Sequence, residues 1–185
     1  MHQYIAFLRG INGGLTLKMA ELRKLFENVG FTGIKTVLAT GNVIFNASQS
    51  NRTEIASQIE RAVASAYNYE TVAILYTKDE LRDLLEANPF HGIAPSTKSS
   101  LQVSFTRRDS GRLPFDRNWP YDVPQKGHKV VGMIDHAVCS VIDLSGAKRP
   151  DLLAVLDRAF NKKVTTRNWK TIERCYQAMQ SGIDG

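Results

Sequence analysis

The chain has 185 residues, 43% hydrophobic and 23% charged, with a formal net charge of +6 at pH 7. That length suits one large domain or two small ones, and the composition is globular, neither disordered nor fibrous. No apolar run approaches the roughly 20 residues that span a bilayer. Met1-His2-Gln3 leads into an apolar strand without a basic-then-apolar leader, so a cytoplasmic protein with no membrane association is expected.

Tyr4 to Leu8 is an apolar strand that runs into Arg9-Gly10-Ile11-Asn12-Gly13-Gly14. Glycines at three of those positions allow positive φ or a close approach by another group. Thr16 is the expected N-cap of a first helix, because Met19, Leu22, Leu25, Phe26 and Val29 recur at helical spacing. The glycine turn would then sit at a helix N-terminus, where unpaired N–H groups hold anions. Gly30-Phe31 stops that helix.

Ile34–Ala39 and Val43–Phe45 form a hairpin around Thr40-Gly41-Asn42. Asn51-Arg52-Thr53-Glu54 has the capping-box form before a helix carrying Ile55, Ile59, Ala62, Val63 and Ala66. Asn68 ends it, and Thr71–Tyr76 is a fourth strand. Strand, helix, strand, strand, helix, strand is the split βαβ, or ferredoxin-like, plait. Its first two strands are parallel, so the glycine turn and the Thr40 hairpin should emerge at one end of the sheet. Both sheet faces read as apolar, which requires the rest of the chain to cover the second.

Thr77-Lys78-Asp79-Glu80 is another capping box, ahead of Leu81, Leu84 and Leu85, and Asn88-Pro89-Phe90 ends that helix. Leu101–Phe105 alternates as a strand. Residues 107–126 hold three of the six prolines and read as a surface loop. Lys129–Ile134 and Ala137–Ile142 form a second hairpin around Asp135-His136. Pro150 opens a helix with Leu152, Leu153, Leu156, Ala159 and Phe160, which Asn161 ends. Lys163-Val164-Thr165 is a short strand, and Trp169, Ile172, Tyr176 and Met179 stripe a last helix. The expectation is an α+β chain of two ferredoxin-like domains packed together, residues 1–77 and 78–185, with a monomer the simplest state.

Cys139 and Cys175 have no CxxC spacing, and the four histidines are scattered, so neither a metal site nor a cofactor is expected. No Ser/His/Asp, Cys/His or paired-carboxylate pattern stands out, and the glycine turn lacks the closing Gly-Lys-Ser/Thr of a Walker loop. Two stretches concentrate polar chemistry. Arg9, Asn12, Gly13, Gly14, Thr40, Gly41 and Asn42 would line a small cleft. Thr166, Arg167 and Asn168, before the last helix, combine a hydroxyl, a fork donor and a helix cap suited to phosphate or carboxylate. Arg158, Lys162, Lys163, Arg167, Lys170 and Arg174 form the densest basic patch, against one acid, Glu173. Phe7 and Phe45 invite comparison with an RNA-recognition plait, but a sheet apolar on both faces favours their burial.

Phe7-Leu8-Arg9-Gly10-Ile11-Asn12-Gly13-Gly14, Lys18-Met19-Ala20-Glu21-Leu22, Thr40-Gly41-Asn42-Val43-Ile44-Phe45, Asn88-Pro89-Phe90 and Thr165-Thr166-Arg167-Asn168-Trp169-Lys170-Thr171 together resemble the bacterial domain-of-unknown-function family 1697. The resemblance implies two ferredoxin-like units in a cytoplasmic protein and brings no established activity. Three functions follow for testing. The first is binding of a small anionic ligand, a nucleotide or other phosphate ester, in the glycine-turn cleft, with Thr166, Arg167 and Asn168 contributing. The second is sequence-independent nucleic-acid binding through Arg107, Arg108, Lys129, Lys162, Lys163 and Lys170. The third is an enzyme acting in the same cleft.

Overall fold

In the computed structural model, which describes residues 1–93, 96–112, 120–123, 128–145 and 152–181, the chain opens with β1 (His2–Leu8), α1 (Met19–Asn28), β2 (Thr32–Val37), β3 (Asn42–Ala47), α2 (Arg52–Tyr67) and β4 (Ala73–Thr77). α3 (Lys78–Glu86), β5 (Ser99–Thr106), β6 (Tyr121–Val123), β7 (His128–Ile134), β8 (Ala137–Asp143), α4 (Leu152–Ala159), β9 (Val164–Asn168) and α5 (Trp169–Gln180) follow. The described residues divide into two compact units, those within Met1–Arg82 and Glu173–Gly185 and those within Asp83–Ile172.

The first sheet has the order β2-β3-β1-β4, and all its neighbours are antiparallel. β1 and β2 both run against β3 and are therefore parallel to each other, as the plait requires. One face packs Tyr4, Ala6, Leu8, Val43, Phe45, Ala73 and Leu75 against Leu22, Leu25 and Phe26 of α1 and Ile55, Ile59 and Val63 of α2. Phe45 is its centre, with ring centroids 4.6 Å from Phe31, 5.3 Å from Phe26 and 6.0 Å from Tyr4. On the other face Ile5, Phe7, Ile44, Ile74 and Tyr76 are also buried. The apolar reading of both faces therefore corresponds to burial on both.

The element boundaries follow local hydrogen bonding. Asn51 Oδ1 accepts from Glu54 N at 3.2 Å, and Asn68 closes α2 in the left-handed region. Thr77 and Glu80 cap reciprocally, with Thr77 N donating to Glu80 Oε2 at 2.8 Å and Glu80 N to Thr77 Oγ1 at 3.3 Å. After α1, Gly30 N donates to Glu27 O and Phe31 N to Phe26 O, the double closure that a left-handed glycine permits.

Thr16 does not cap α1. The helix starts at Met19 after Lys18, which offers no side-chain cap. β2 stops at Val37, short of the expected Ala39, because Leu38 turns left-handed at φ 58°.

The second sheet has the order β6-β7-β8-β5-β9, again antiparallel throughout. Without β6 its order matches the first sheet's, so both units are α+β and ferredoxin-like. β6 is an edge strand inside the stretch expected to be loop. Val130, Val138 and Val164 pack against Leu152, Leu156 and Phe160. Asn161 takes the left-handed conformation and ends α4 as expected. Pro150, its expected first residue, lies outside the described residues.

Phe45→Ala removes the ring on which three other aromatics pack. It should cost about 3–5 kcal/mol of stability, read as a lower urea midpoint with an unchanged m-value.

Candidate functional site

The first sheet's polar end is built outward from β1. Leu8 N donates to Gly41 O at 2.8 Å and Arg9 N to Val72 O at 2.9 Å. Thr71 Oγ1 donates to Arg9 O at 2.7 Å. The Arg9 backbone is thus held between the hairpin and the start of β4. Gly10 then reverses the chain at φ 80°, and its carbonyl accepts from Gly13 N, Gly14 N and Leu15 N at 3.3, 2.7 and 2.9 Å.

Asn12, left-handed at φ 56°, joins this turn to the hairpin. Its Nδ2 donates to Ala39 O at 2.6 Å and Leu17 O at 3.2 Å, while its Oδ1 accepts from Leu17 N at 2.9 Å. Inside the hairpin the fully buried Asn42 donates from Nδ2 to Val37 O at 2.9 Å and to Thr40 Oγ1 at 3.0 Å. Arg9, Asn12, Gly13, Gly14, Thr40, Gly41 and Asn42 therefore gather at one end of the first sheet.

The chemistry of this end differs from a helix-terminus anion site. The N–H groups of Gly13, Gly14 and Leu15 are spent on Gly10 O, and that of Leu17 on Asn12. α1 begins only at Met19.

Two of the three glycines share one reason. A Cβ on Gly10 or Gly14 would collide with the Tyr69 hydroxyl, whereas one on Gly13 would meet nothing within 4 Å. A Cβ on Gly41 would lie 2.9 Å from Ile11 Cβ. Tyr69, just past the left-handed end of α2, is the site residue that sequence analysis does not single out. Its trace in the sequence is indirect: glycines four apart, one without need of positive φ, leave room for a bulky neighbour.

Thr166, Arg167 and Asn168 lie in the second unit and serve local structure. Arg167 Nη1 donates to Thr165 Oγ1 at 2.8 Å and to Thr166 O at 2.9 Å. Thr166 Oγ1 and Ser104 Oγ share a hydrogen bond of 2.8 Å. Asn168 Oδ1 accepts from Thr171 N at 2.8 Å and Thr171 Oγ1 at 2.9 Å, which caps α5. Trp169 packs edge-on against Phe90, centroids 5.1 Å apart.

Most of the basic candidates stand beside acids. Arg108 Nη1 donates to Asp135 Oδ1 at 2.8 Å, and Nη2 to Oδ2. Arg107 Nε and Lys163 Nζ approach Asp109 at 3.4 and 3.8 Å, and Lys129 Nζ approaches Asp122 at 3.8 Å. Lys162 and Lys170 are exposed. Phe7 and Phe45 are fully buried, so they form no stacking platform for bases. Burial also pushes the Cys139 thiol up to about 12, leaving it protonated and unreactive at neutral pH.

Gly14→Ala should destabilise by about 1–3 kcal/mol through overpacking against Tyr69. Much of that loss should return in a Tyr69→Phe background, and Gly13→Ala should be close to neutral. Thermal denaturation of the four variants checks the set. Native protein treated with iodoacetamide at pH 8 should keep Cys139 unmodified by peptide mass mapping.

Among solved structures, the chain is similar to the conserved bacterial protein SP0830 from Streptococcus pneumoniae, with a TM-score of 0.72 and 21% identity over 97% of this chain and 99% of that one. That likeness concerns the fold. No curated protein matches. The family model described as "Protein of unknown function (DUF1697)" matches residues 1–117, the stretch that holds the glycine turn, the Asn12 clamp and the Thr40 hairpin, and the chain belongs to that family.

Proposed function

We propose that this protein binds a small anionic ligand, nucleotide or phosphate-like, at the end of the first sheet where the glycine turn meets the Thr40 hairpin. The supporting observation is the convergence there of four left-handed residues, Gly10, Asn12, Leu38 and Gly41, with the Asn12 side chain bonded to Ala39 O between two of them. Leu38 is 43% exposed, so core packing does not account for its strained conformation. Strain of this kind, about 1–3 kcal/mol per residue, persists where the surroundings over-determine it and concentrates at functional sites. Arg9 supplies the charge and Thr40 a hydroxyl. The guanidinium forks to two oxygens of a phosphate or carboxylate, a geometry that an ammonium lacks.

Nucleic-acid binding through the second unit has weaker support, because acids accompany Arg107, Arg108, Lys129 and Lys163 and would repel a phosphate backbone. Long duplexes should give no gel shift at low salt, where counterion release favours binding most.

Arg9→Lys tests the reading directly. Nucleoside triphosphates and pyrophosphate should raise the melting temperature of the natural chain, since a ligand that binds only the native state stabilises it by RT ln(1 + [L]/Kd). The variant should melt within a degree or so of the parent and bind the same probe about ten-fold more weakly, equivalent to roughly 1.4 kcal/mol. A variant that melts lower and binds as well assigns Arg9 a structural role and removes it from the site.

A further inference from the structure

One end of the second sheet carries a groove of about 560 Å³, within the size range of small-molecule sites. Strand register builds it. Antiparallel pairing sets Ser99 opposite Asp143, Lys129 opposite Val141, and Asp122 of β6 opposite Lys129. The segment before β5 adds Ile93, Ser96 and Lys98, and Leu144 N anchors it by donating to Lys98 O at 2.7 Å.

The lining is charged but balanced, with Lys98 and Lys129 against Asp122 and Asp143. Asp143 Oδ1 accepts from Ser145 N at 2.8 Å and Ser145 Oγ at 2.5 Å. These bonds, with the nearby charge of Lys98, hold its carboxyl below the ordinary 3.8, so it is ionised at neutral pH. Lys129 and Asp122 stand 3.8 Å apart, beyond the roughly 2.7–2.9 Å of a charge-assisted hydrogen bond, and both retain capacity for a ligand. A simple anion in this groove meets two carboxylates, and a simple cation meets two ammonium groups.

We propose that this groove binds a small zwitterion, a free amino acid or a compound with the same paired carboxylate and ammonium groups. The lysines and the hydroxyls of Ser96 and Ser99 receive the carboxylate, Asp122 and Asp143 receive the ammonium, and Ile93 and Val141 provide apolar wall. The site lies wholly in the second unit and shares no residue with the anion site proposed in the first.

The test is a set of 1H–15N spectra of the full chain, titrated with an equimolar mixture of the standard amino acids and, separately, with acetate and with methylammonium. The mixture should move the amides of Ser96, Lys98, Ser99, Lys129 and Asp143, and each half-ligand should move them far less. The responding amino acid, identified by deconvoluting the mixture, should bind Lys98→Gln and Asp122→Asn each about ten-fold more weakly, about 1.4 kcal/mol, with melting temperatures unchanged. The mixture leaving those amides in place overturns the proposal. So does acetate alone moving them as far as the mixture, which makes the groove a plain anion site.

Discussion

The first unit depends on β1 being buried on both faces and paired on both edges. Tyr4, Ala6 and Leu8 enter the helix-covered core, while Ile5 and Phe7, both fully buried, lie on the opposite face. β3 and β4 satisfy its backbone along both sides. A strand so constrained has one register, since a slip of one residue exchanges its two faces. The point where the chain leaves the sheet is thereby fixed, and Arg9 and the glycine turn stand at that point. Polar groups gather there because β1 and β2 run in the same direction on either side of β3.

That end is held by the satisfaction of carbonyl groups that have left the ladder. Ala39 O and Leu17 O are taken by the Asn12 amide, and Val37 O by the Asn42 amide. An unpaired buried carbonyl costs a few kcal/mol, so the buried Asn42–Val37 bond allows the hairpin to depart from regular β geometry, while the more exposed Asn12 bonds tie the turn to it. Asparagine tolerates the left-handed region better than most residues, which lets Asn12 be both a turn residue and a clamp. The Tyr69 hydroxyl, resting over Gly10 and Gly14, closes the other side of the turn. The result is a hydrogen-bonded frame carrying Arg9 and Thr40, in which the N–H groups of Gly13, Gly14 and Leu15 are already engaged.

In the second unit four of the candidate cations stand beside three acids. The pairs of Arg108 with Asp135, Lys129 with Asp122 and Lys163 with Asp109 are solvent-exposed, and such pairs contribute little to stability. Their larger effect is on the electrostatic field, because an acid within 4 Å of each of these paired cations reduces its reach beyond a Debye length. A formal charge of +6 is therefore a poor guide to a polyanionic partner.

The sequence alone determined the order of elements through β5, both faces of the first sheet, the C-terminal end of α1 and both ends of α2, because those features rest on local rules. Apolar periodicity, the Thr77–Glu80 box, left-handed Asn68 and the Gly30-Phe31 stop all act within a few residues. It also indicated that Arg9 and Thr40 would share one end of the sheet, since strand order implies direction. Tertiary structure decided what those residues do there. Gly14 reads as turn chemistry, but its reason is Tyr69, distant in sequence and brought close by α2. The turn N–H groups read as anion donors, yet the folded turn consumes them on Gly10 O. Thr16 reads as a cap, but Asn12 draws the chain through Leu17 before α1 can begin. β6 was hidden because a short edge strand in a proline-rich stretch takes its structure from β7, and no periodicity of its own announces it. Likewise, Arg108 and Lys163 read as members of two separate basic segments until the fold sets Asp135 beside the first and Asp109 beside the second.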